Sequence, residues 1–405
     1  MTCRFCGAAA DPFLDFGRMP RGNGFLRPDA LADEYFYPLT AAFCRACRMV
    51  QLVHQPARDR MFNDHYPFFS GSSQRMTRHF EALAQEVLGR LAGVDDPFVV
   101  EIGSNDGTLL APLARAGGRH LGVDPSSNVA AAAGRRGVRT LCRFFDLETA
   151  RRIGEEHGPA DAVVAANVLC HIADLDSAAE GLRVLLRPGG WLVSEDPSVG
   201  DVLRQGSYDQ FYDEHIVLFS AASLQALWAR HGLELVEVSD QPTHGGSMRC
   251  WAAHHGTRPV SPSVASAFDR ERALGLDRLE TFQTFRRRCE RSRAQLLEML
   301  HTLRRQGRRV AGYAATSKST TVINYCGITP ELVPWICDTT PLKHGTLSPG
   351  QHIPVVPHER FEAEPPDVAL LFAWNHAEEI LEKERAFAAR GGQWLVYVPA
   401  VALRP

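Results

Sequence analysis

Three side chains that can move protons stand within four consecutive positions near the middle of the chain. Tyr212, Glu214 and His215 supply a phenol, a carboxyl group and an imidazole. Imidazole titrates close to neutral pH, which suits it to general base catalysis. Group transfer to oxygen or nitrogen needs little help, whereas transfer to carbon first requires a proton to leave that carbon. We therefore expect this cluster to lie at a reaction site, with His215 as the base.

Further candidate residues lie on both sides of this cluster. His171 follows a predicted strand, at the edge where parallel sheets bind ligands, and Tyr66 lies on a predicted linker. A glycine turn carries donors that can contact a substrate, namely His244, Ser247 and Arg249. Each feature also has a purely structural interpretation. His171 can be a structural histidine, Tyr66 can pack the junction between domains, and the glycine turn can be an ordinary hairpin.

The segment 98–110 has the pattern of a buried parallel strand, a glycine turn and a helix start, which lets Gly103 approach a ligand beside Glu101 and Asn105. Asp124 ends a second predicted strand 21 residues after Gly103, where an acid can accept both ribose hydroxyls, and Asn167 ends a third. The glycine spacing differs from the GxGxxG of dinucleotide folds, and the Arg-Pro-Gly-Gly turn at 187–190 is typical of class I methyltransferases. We predict an S-adenosylmethionine site that releases S-adenosylhomocysteine. An NAD(P) site and merely structural polar residues at the strand ends are the alternatives.

Two Cys-x-x-Cys pairs stand near the N-terminus, Cys3 with Cys6 and Cys44 with Cys47. Together they offer four thiolates, which form a closed tetrahedral shell for a structural zinc ion and leave no open position for catalysis. The residues between the pairs are rich in aromatics and proline, as expected of a small module that a metal stabilises. Two buried cysteine pairs or a redox-active pair are the alternatives.

The bulk composition describes an ordinary globular chain. A chain of 405 residues is too long for one hydrophobic core, so we expect more than one domain. A net charge of −3 does not indicate the basic surface that binds nucleic acid or an anionic membrane. We expect a cytoplasmic protein that binds neither. The arginine-rich helical segment 262–309 fits a solvated connector, and 309–321 repeats the strand–loop–helix pattern, with either a phosphate-binding or a purely structural role.

The fold prediction is therefore α/β with three parts. Residues 1–70 form a small zinc-binding module, 71–255 a class I methyltransferase domain with a doubly wound sheet, and 256–405 a second Rossmann-like domain that begins with the helical connector.

The order of these motifs resembles the bacterial sugar C-methyltransferases, which act on nucleotide-linked 4-keto-deoxysugars. The matching segments cover nearly the whole chain: the two cysteine pairs, 100–107, 166–171, 212–215, 243–247 and 324–327. The resemblance implies a zinc-binding N-terminal domain, a class I methyltransferase domain and a Rossmann-like domain that helps to hold the nucleotide. It also implies a dTDP-linked 4-keto-deoxysugar as substrate. We expect the enzyme to be a monomer or a small homo-oligomer.

The resemblance assigns His215 as the base that removes a proton next to the C4 ketone. It is closest to the members of the family that methylate C3. Tyr212 and Glu214 flank it, Tyr66 and His171 face the sugar, and Lys318 and Tyr325 contact the diphosphate or base. Tyr212, His171 or Tyr66 would meet the enolate oxygen, while Glu214 would orient His215 or hold a sugar hydroxyl. Methylation at C5, a sugar O-methyltransferase, a zinc-ribbon RNA methyltransferase and a binding protein with an inactive methyltransferase lobe are the competing hypotheses.

Overall fold

The N-terminal module is a small antiparallel sheet. The computed structural model describes residues 1–405, and this module contains β1 (Ala10–Pro20), β2 (Phe36–Cys44), β3 (Val50–Leu52) and α1 (Arg58–Met61). β1 pairs with β2 from Ala10 opposite Cys44 to Pro20 opposite Phe36. Because Cys6 precedes β1 and Cys44 ends β2, this register brings the two cysteine pairs to the same end of the sheet.

The central lobe is the doubly wound sheet that the glycine motif predicts. Its elements are α2 (Gln74–Arg90), β4 (Val99–Ile102), α3 (Ala111–Arg115), β5 (His120–Val123), α4 (Ser127–Arg135), β6 (Thr140–Leu141), α5 (Leu147–His157), β7 (Ala160–Ala166), α6 (Leu175–Leu185), β8 (Leu186–Pro197), α7 (Val199–Gln205), β9 (Val217–Leu218), α8 (Ala221–Arg230), β10 (Leu233–Gln241), β11 (Ser247–His254) and α9 (Pro262–Leu274). Seven strands run in the order β10-β11-β8-β7-β4-β5-β6, with β11 antiparallel to both neighbours. The connections leave β4 in opposite directions, toward β5 and toward β7, so the edge beyond β4 is the switch point where such sheets bind ligands.

The C-terminal lobe is a second parallel sheet, as predicted. It contains α10 (Leu279–Arg305), β12 (Val310–Tyr313), α11 (Ser317–Cys326), β13 (Ile336–Asp338), β14 (Val355–Pro357), α12 (His358–Ala363), β15 (Val368–Leu371), α13 (Ala377–Lys383), α14 (Arg385–Ala389), β16 (Gln393–Val396) and β17 (Ala402–Arg404). The order is β14-β13-β12-β15-β16-β17, and only β17 runs antiparallel. The switch point here lies beyond β12, where α11 begins.

Short 3-10 turns complete the secondary structure, at Pro28–Asp33, Ser70–Ser72, Leu169–His171, Tyr208–Gln210, Thr243–Gly245, Pro341–Lys343 and Trp374–His376. None of the helices combines the length and the apolar character that crossing a membrane requires.

The three parts are joined more closely than a division at 70 and 255 suggests. β9 of the central lobe pairs with β3, so it completes the four-stranded sheet of the N-terminal module. The predicted connector is two helices: α9 packs on β10 and α8 of the central lobe, and α10 packs on β1 and α11. One core cluster of 40 buried residues joins aromatic side chains of the module to the C-terminal lobe.

Candidate active site and metal centre

The four N-terminal cysteines form one compact cluster. Cys3 Sγ lies 3.6 Å from Cys47 Sγ, and Cys6 Sγ lies 3.5 Å from Cys44 Sγ. A disulfide would need about 2.05 Å, whereas four thiolates at about 2.3 Å from a zinc ion stand about 3.8 Å apart. The observed separations therefore fit a tetrahedral zinc site. Gln51 Nε2 also donates to Cys3 Sγ, at 3.1 Å, as a neighbour of a thiolate should.

A cavity of about 1300 Å³ lies where the three parts meet. Asn23 of the N-terminal module, Gly103 of the central lobe and Ser317 of the C-terminal lobe all line it. Ligand cavities usually measure about 300–1000 Å³, so this one has room for more than one ligand. The ligand-binding edges beyond β4 and β12 both open into it.

The cofactor side of the cavity is built from the loop after β4. Gly103 has a φ of +67°, and a Cβ there would lie 2.7 Å from Val168, so only glycine fits. The carboxylate of Asp124 accepts from the backbone N–H groups of Asn105 and Ser126, both at 2.9 Å. Burial raises the pKa of Asp124 to about 6, and these two bonds oppose the rise. Asp124 is thus held at the strand end where an acid meets a ribose.

Asn167 offers unused hydrogen-bonding groups to a ligand. It lines the cavity beyond β7 with a φ of +56°, an uncommon conformation for a residue other than glycine. Both its amide nitrogen and its amide oxygen are buried without a partner. Buried amides normally find partners, so these atoms fit the polar groups of S-adenosylmethionine.

Two other predicted cofactor residues have structural partners: Glu101 lies behind the cavity wall, and Asn105 bonds the linker beside the cavity. Glu101 is buried beneath the loop and does not line the cavity, and burial, followed by the charges of Asp124 and Asp106, raises the pKa of Glu101 well above its usual range. The Asn105 amide lines the cavity but bonds the linker, donating to Phe68 O at 3.1 Å and accepting from Ser70 N at 3.0 Å.

Phe145 and Asp146 also line the cavity, just after β6, and the sequence analysis missed both. Asp146 caps α5, accepting from Thr149 N at 2.8 Å. An aromatic residue and a helix-capping acid just before α5 were the signal that was available.

The acid–base cluster fixes the proton positions on His215. His215 Nδ1 lies 2.8 Å from the carbonyl oxygen of Gln210, which can only accept, so Nδ1 carries the proton. In the neutral ring Nε2 then holds the lone pair and accepts from the Tyr212 hydroxyl at 2.9 Å. Burial, followed by the charges of His171 and Lys318, lowers the pKa of His215 well below its usual range. The arrangement therefore maintains His215 as a neutral, oriented imidazole.

Glu214 has partners other than His215. Its carboxyl oxygens accept from Asn23 Nδ2 at 2.6 Å and from the Tyr66 hydroxyl at 3.1 Å. The backbone carbonyl of Gln210, not Glu214, orients His215, because that carbonyl already occupies Nδ1. Burial and the neighbouring Asp213 raise the pKa of Glu214 above its usual range.

His171 lines the cavity beside the cluster. Its ring stacks on His215 at a centroid distance of 5.4 Å and on Phe62 at 5.5 Å. Its Nε2 atom is buried without a partner, and burial lowers the pKa of His171 to about 4. His171 is therefore a neutral ring with one nitrogen free for a ligand.

The glycine turn supplies only one residue to the cavity. His244 lines it, with a φ of +54° and its carbonyl accepting from Gln210 Nε2 at 2.6 Å. Ser247 and Arg249 do not line the cavity, contrary to the prediction. Both lie in the first three residues of β11, and their polar groups bond other residues of the central lobe. Ser247 Oγ donates to Thr243 O at 3.1 Å, and Arg249 pairs with Glu195 at 2.8 Å.

Of the two residues expected to contact the nucleotide, only Lys318 reaches the cavity. Tyr325 lies two turns further along α11 and packs on Phe16 at 5.0 Å and on Tyr208 at 5.6 Å, with Arg293 over its ring. The helix therefore turns Tyr325 into the core shared with the N-terminal module, and the expectation for Tyr325 is not met.

Asn23 and Gly22, in the connection between β1 and β2, were not foreseen as part of the site. Gly22 N donates to Asp213 Oδ1 at 2.8 Å, beside the Asn23–Glu214 bond. Thr320 of α11 in turn donates to Gly22 O at 2.8 Å. This loop of the N-terminal module therefore lies between the acid–base cluster and the C-terminal lobe.

Comparison with known proteins matches each part of the chain. Residues 3–62 match a family described as a zinc binding domain, 76–238 match a methyltransferase domain, and 242–399 match the C-methyltransferase C-terminal domain. The C-methyltransferase NovU of Streptomyces niveus is 35% identical over 402 residues, which cover 98% of this chain and 95% of NovU.

Other similarities are confined to part of the chain. A ubiquinone biosynthesis O-methyltransferase of Methylobacterium sp. (strain 4-46) is 38% identical over 96 residues, covering 23% of this chain and 37% of that protein. Among solved structures, magnesium protoporphyrin IX methyltransferase (ChlM) from Synechocystis PCC 6803 with bound SAM aligns with a TM-score of 0.33 and 16% identity, over 44% of this chain and 81% of that chain.

The full-length match to NovU and the three domain matches agree with the cysteine cluster and with the sheet that positions Gly103 and Asp124. The chain belongs to the C-methyltransferase family and is an S-adenosylmethionine-dependent enzyme with a structural zinc site in its N-terminal module.

Proposed function

We propose that this enzyme methylates C3 of a dTDP-linked 4-keto-deoxysugar. The observation that carries the proposal is the state of His215, a buried neutral imidazole that lines the cavity, with Nδ1 fixed by Gln210 O and Nε2 accepting from the Tyr212 hydroxyl. An acceptor oxygen or nitrogen already carries a lone pair that can attack the methyl group, whereas an acceptor carbon gains one only when a base removes its proton.

The ketone at C4 makes the proton on C3 removable, because the negative charge that remains can move onto the carbonyl oxygen. His215 Nε2 takes this proton, and Tyr212, which now donates to Nε2, is released to bond a sugar oxygen. S-adenosylmethionine supplies the methyl group that C3 accepts. The cluster thus performs one proton abstraction and leaves the rest of the reaction to positioning.

Glu214 has a different part in this proposal from that of His215. Because its side chain bonds Tyr66 and Asn23 and makes no hydrogen bond to the His215 ring, Glu214 is suited to hold a sugar hydroxyl rather than to orient the base. His171, with its free Nε2, faces the same space and is available for a second sugar oxygen.

The C-terminal lobe repeats the construction of the cofactor loop, which supports a nucleotide there. Asp338 ends β13 and accepts from Ala315 N and Thr340 N, both at 2.7 Å. Asp124 accepts from the corresponding loop and from the residue two positions after itself in the same way. We assign the dTDP part of the substrate to this end of the cavity, next to the first turn of α11.

Product analysis with methyl-labelled cofactor tests the proposal. The enzyme is incubated with S-[methyl-13C]adenosylmethionine and a dTDP-4-keto-deoxysugar, and the product is examined by carbon–proton correlation NMR. We expect the label on C3, with the C3 proton lost. A label on C5 would retain the chemistry and move the acceptor. A label on a sugar oxygen, or no transfer to the sugar, would overturn the proposal.

A further inference from the structure

Lys318 is a buried cation without a partner. It is one of only three lysines in the chain, and 8% of its surface is exposed. It lines the cavity in the first turn of α11, and its Nζ makes no hydrogen bond. A buried ammonium without a counterion is costly, so the fold retains this group for a ligand that brings negative charge.

The surroundings of Lys318 are neutral rings near the reacting cluster. Burial first, and then the Lys318 charge among others, lowers the pKa of His215, His244 and His376. Lys318 and the three rings line the same cavity. The adjoining Ser317 also packs against this cluster, because a Cβ on Gly22 would lie 3.1 Å from Tyr212 and 3.2 Å from Ser317.

The Asp209 carboxylate favours the charged form of Lys318 without a hydrogen bond to it. Burial lowers the pKa of Lys318, and the Asp209 carboxylate opposes that change. Asp209 Oδ2 is occupied by Trp374 and Tyr397, and Oδ1 is buried without a partner. The carboxylate therefore stands back from Nζ, which leaves the cation free to face the cavity.

We propose that Lys318 is a catalytic residue whose ammonium group stabilises the C4 oxygen anion formed when His215 removes the C3 proton. This inference rests on the proposed function. The C3–H bond breaks, its proton goes to Nε2, its electron pair forms the C3–C4 double bond, and the carbonyl pair moves to O4. When the C3–methyl bond forms, the S–methyl bond breaks with its pair on sulfur, and the C4 carbonyl returns.

The other groups expected to meet this oxygen are less suited to it. The Tyr66 hydroxyl proton is given to Glu214, and the neutral Tyr212 hydroxyl leaves His215 Nε2 only as the C3 proton arrives there. His171 is neutral and can donate one ordinary hydrogen bond at most. A full positive charge in a water-poor cavity interacts more strongly with an oxygen that becomes anionic only during the reaction.

The competing assignment is the substrate diphosphate, which the start of a helix also favours. Two readouts on one variant separate the two roles. Lys318→Met is compared with the wild type for C3 proton exchange in D2O with S-adenosylhomocysteine at saturating sugar nucleotide, and for the Kd of dTDP alone. Lys383→Met, at an exposed lysine, is the matched control. The affinity for S-adenosylhomocysteine reports whether each variant is folded.

We expect Lys318→Met to slow exchange by about 10²–10³-fold, with dTDP and S-adenosylhomocysteine bound as in the wild type. A tenfold or greater loss of dTDP affinity with nearly normal exchange would overturn the proposal and place Lys318 at the diphosphate. Loss of both proton exchange and dTDP affinity would also overturn the proposal, because Lys318 would then have no specific role at O4. If Lys318→Met fails to bind S-adenosylhomocysteine, Lys318→Gln replaces it in both assays. Absence of exchange in the wild type, with sugar nucleotide bound, would instead reject the proposed function.

Discussion

His215 owes its chemistry to two atoms outside its own side chain. The Gln210 carbonyl fixes the proton on Nδ1, and the Tyr212 hydroxyl marks the lone pair on Nε2. Tyr212 and His215 are three positions apart, so their proximity follows from the sequence. The role of Gln210 does not, because a backbone carbonyl has no signature in the side-chain pattern.

The pH dependence of exchange should reflect the buried state of His215. A base must be neutral, and the lowered pKa of His215 keeps it neutral as the pH falls through about 6.5, the ordinary histidine value. We expect the C3 exchange rate at saturating substrate to stay level from pH ~8 to ~6.5 and to fall only in more acidic solution. An acid limb at or above about pH 6.5 that persists in Glu214→Gln would contradict this assignment.

At the scale of elements, the connection between β1 and β2 brings the zinc module into the active site. Asn23 and Glu214 are 191 positions apart, and Gly22 meets Asp213 over the same distance along the chain. Hydrogen bonds between residues so far apart in the chain depend on how whole elements pack. The sequence pattern therefore predicted the zinc module but not the position of its loop in the cavity. The same holds for β9, a strand of two residues in a sheet of another part.

Gly22 lies where no side chain fits. A Cβ there would lie 2.8 Å from Asp213 Oδ1 and 3.1 Å from Tyr212, so Gly22→Ala must push the loop away from the cluster. We expect a loss of about 1–3 kcal/mol in unfolding free energy and a slower exchange rate. Gly89→Ala, at a helical glycine with nothing within 4 Å, is the control; it should keep the exchange rate and gain about 0.5–1 kcal/mol in unfolding free energy. Equal behaviour of the two variants in chemical denaturation and exchange would show that the loop is not tightly packed.

Zinc should support the same loop from a distance. One zinc ion per chain is expected by elemental analysis, and none in Cys44→Ser, because three thiolates do not complete the shell. Since structural zinc contributes to folding, this variant should lose thermal stability and activity together. Cys142→Ser removes an exposed cysteine outside the cluster and should keep the metal. Full activity in a zinc-free Cys44→Ser enzyme would refute the link between the zinc module and the cluster.

At the scale of the molecule, the central and C-terminal lobes are joined at Asp209. Its Oδ2 accepts from Trp374 Nε1 and from the Tyr397 hydroxyl, both at 2.7 Å, although these residues lie 165 and 188 positions away. Nearby, a Cβ on Gly245 would collide with the Trp374 ring. The cavity therefore depends on how the lobes are held together as well as on either lobe alone.

Asp209→Ala should loosen this junction. The substitution leaves Trp374 Nε1 without an acceptor and the Tyr397 hydroxyl with only Phe372 O, at 3.2 Å. An unsatisfied donor costs about 1–3 kcal/mol, so we expect a lower midpoint in chemical denaturation. Asp240→Ala is the control, because Asp240 is exposed and its ion pair with Arg270 at 3.4 Å is of a kind that contributes little. Equal midpoints for the two variants would show that the junction does not contribute to stability.

The sequence predicted best those features of the fold and of the site that short local motifs form. The cysteine pairs, the loop at Gly103 and the two Rossmann-like sheets were predictable, because each arises from residues close in the chain. Arg249 and Tyr325 were misplaced for a physical reason. Each is a polar residue near a loop, but the strand or helix that carries it turns the side chain inward, toward Glu195 or Phe16.

The central claim is that this enzyme makes an enolate at C3 with His215 as the base. The most direct test follows the ring protons of a dTDP-4-keto-deoxysugar by NMR in D2O, with S-adenosylhomocysteine in place of the methyl donor. We predict that the C3 proton washes out with the wild type and does so about 10²–10⁴-fold more slowly with His215→Ala. Washout at an unchanged rate in His215→Ala, or no washout from bound substrate with the wild type, would contradict the claim.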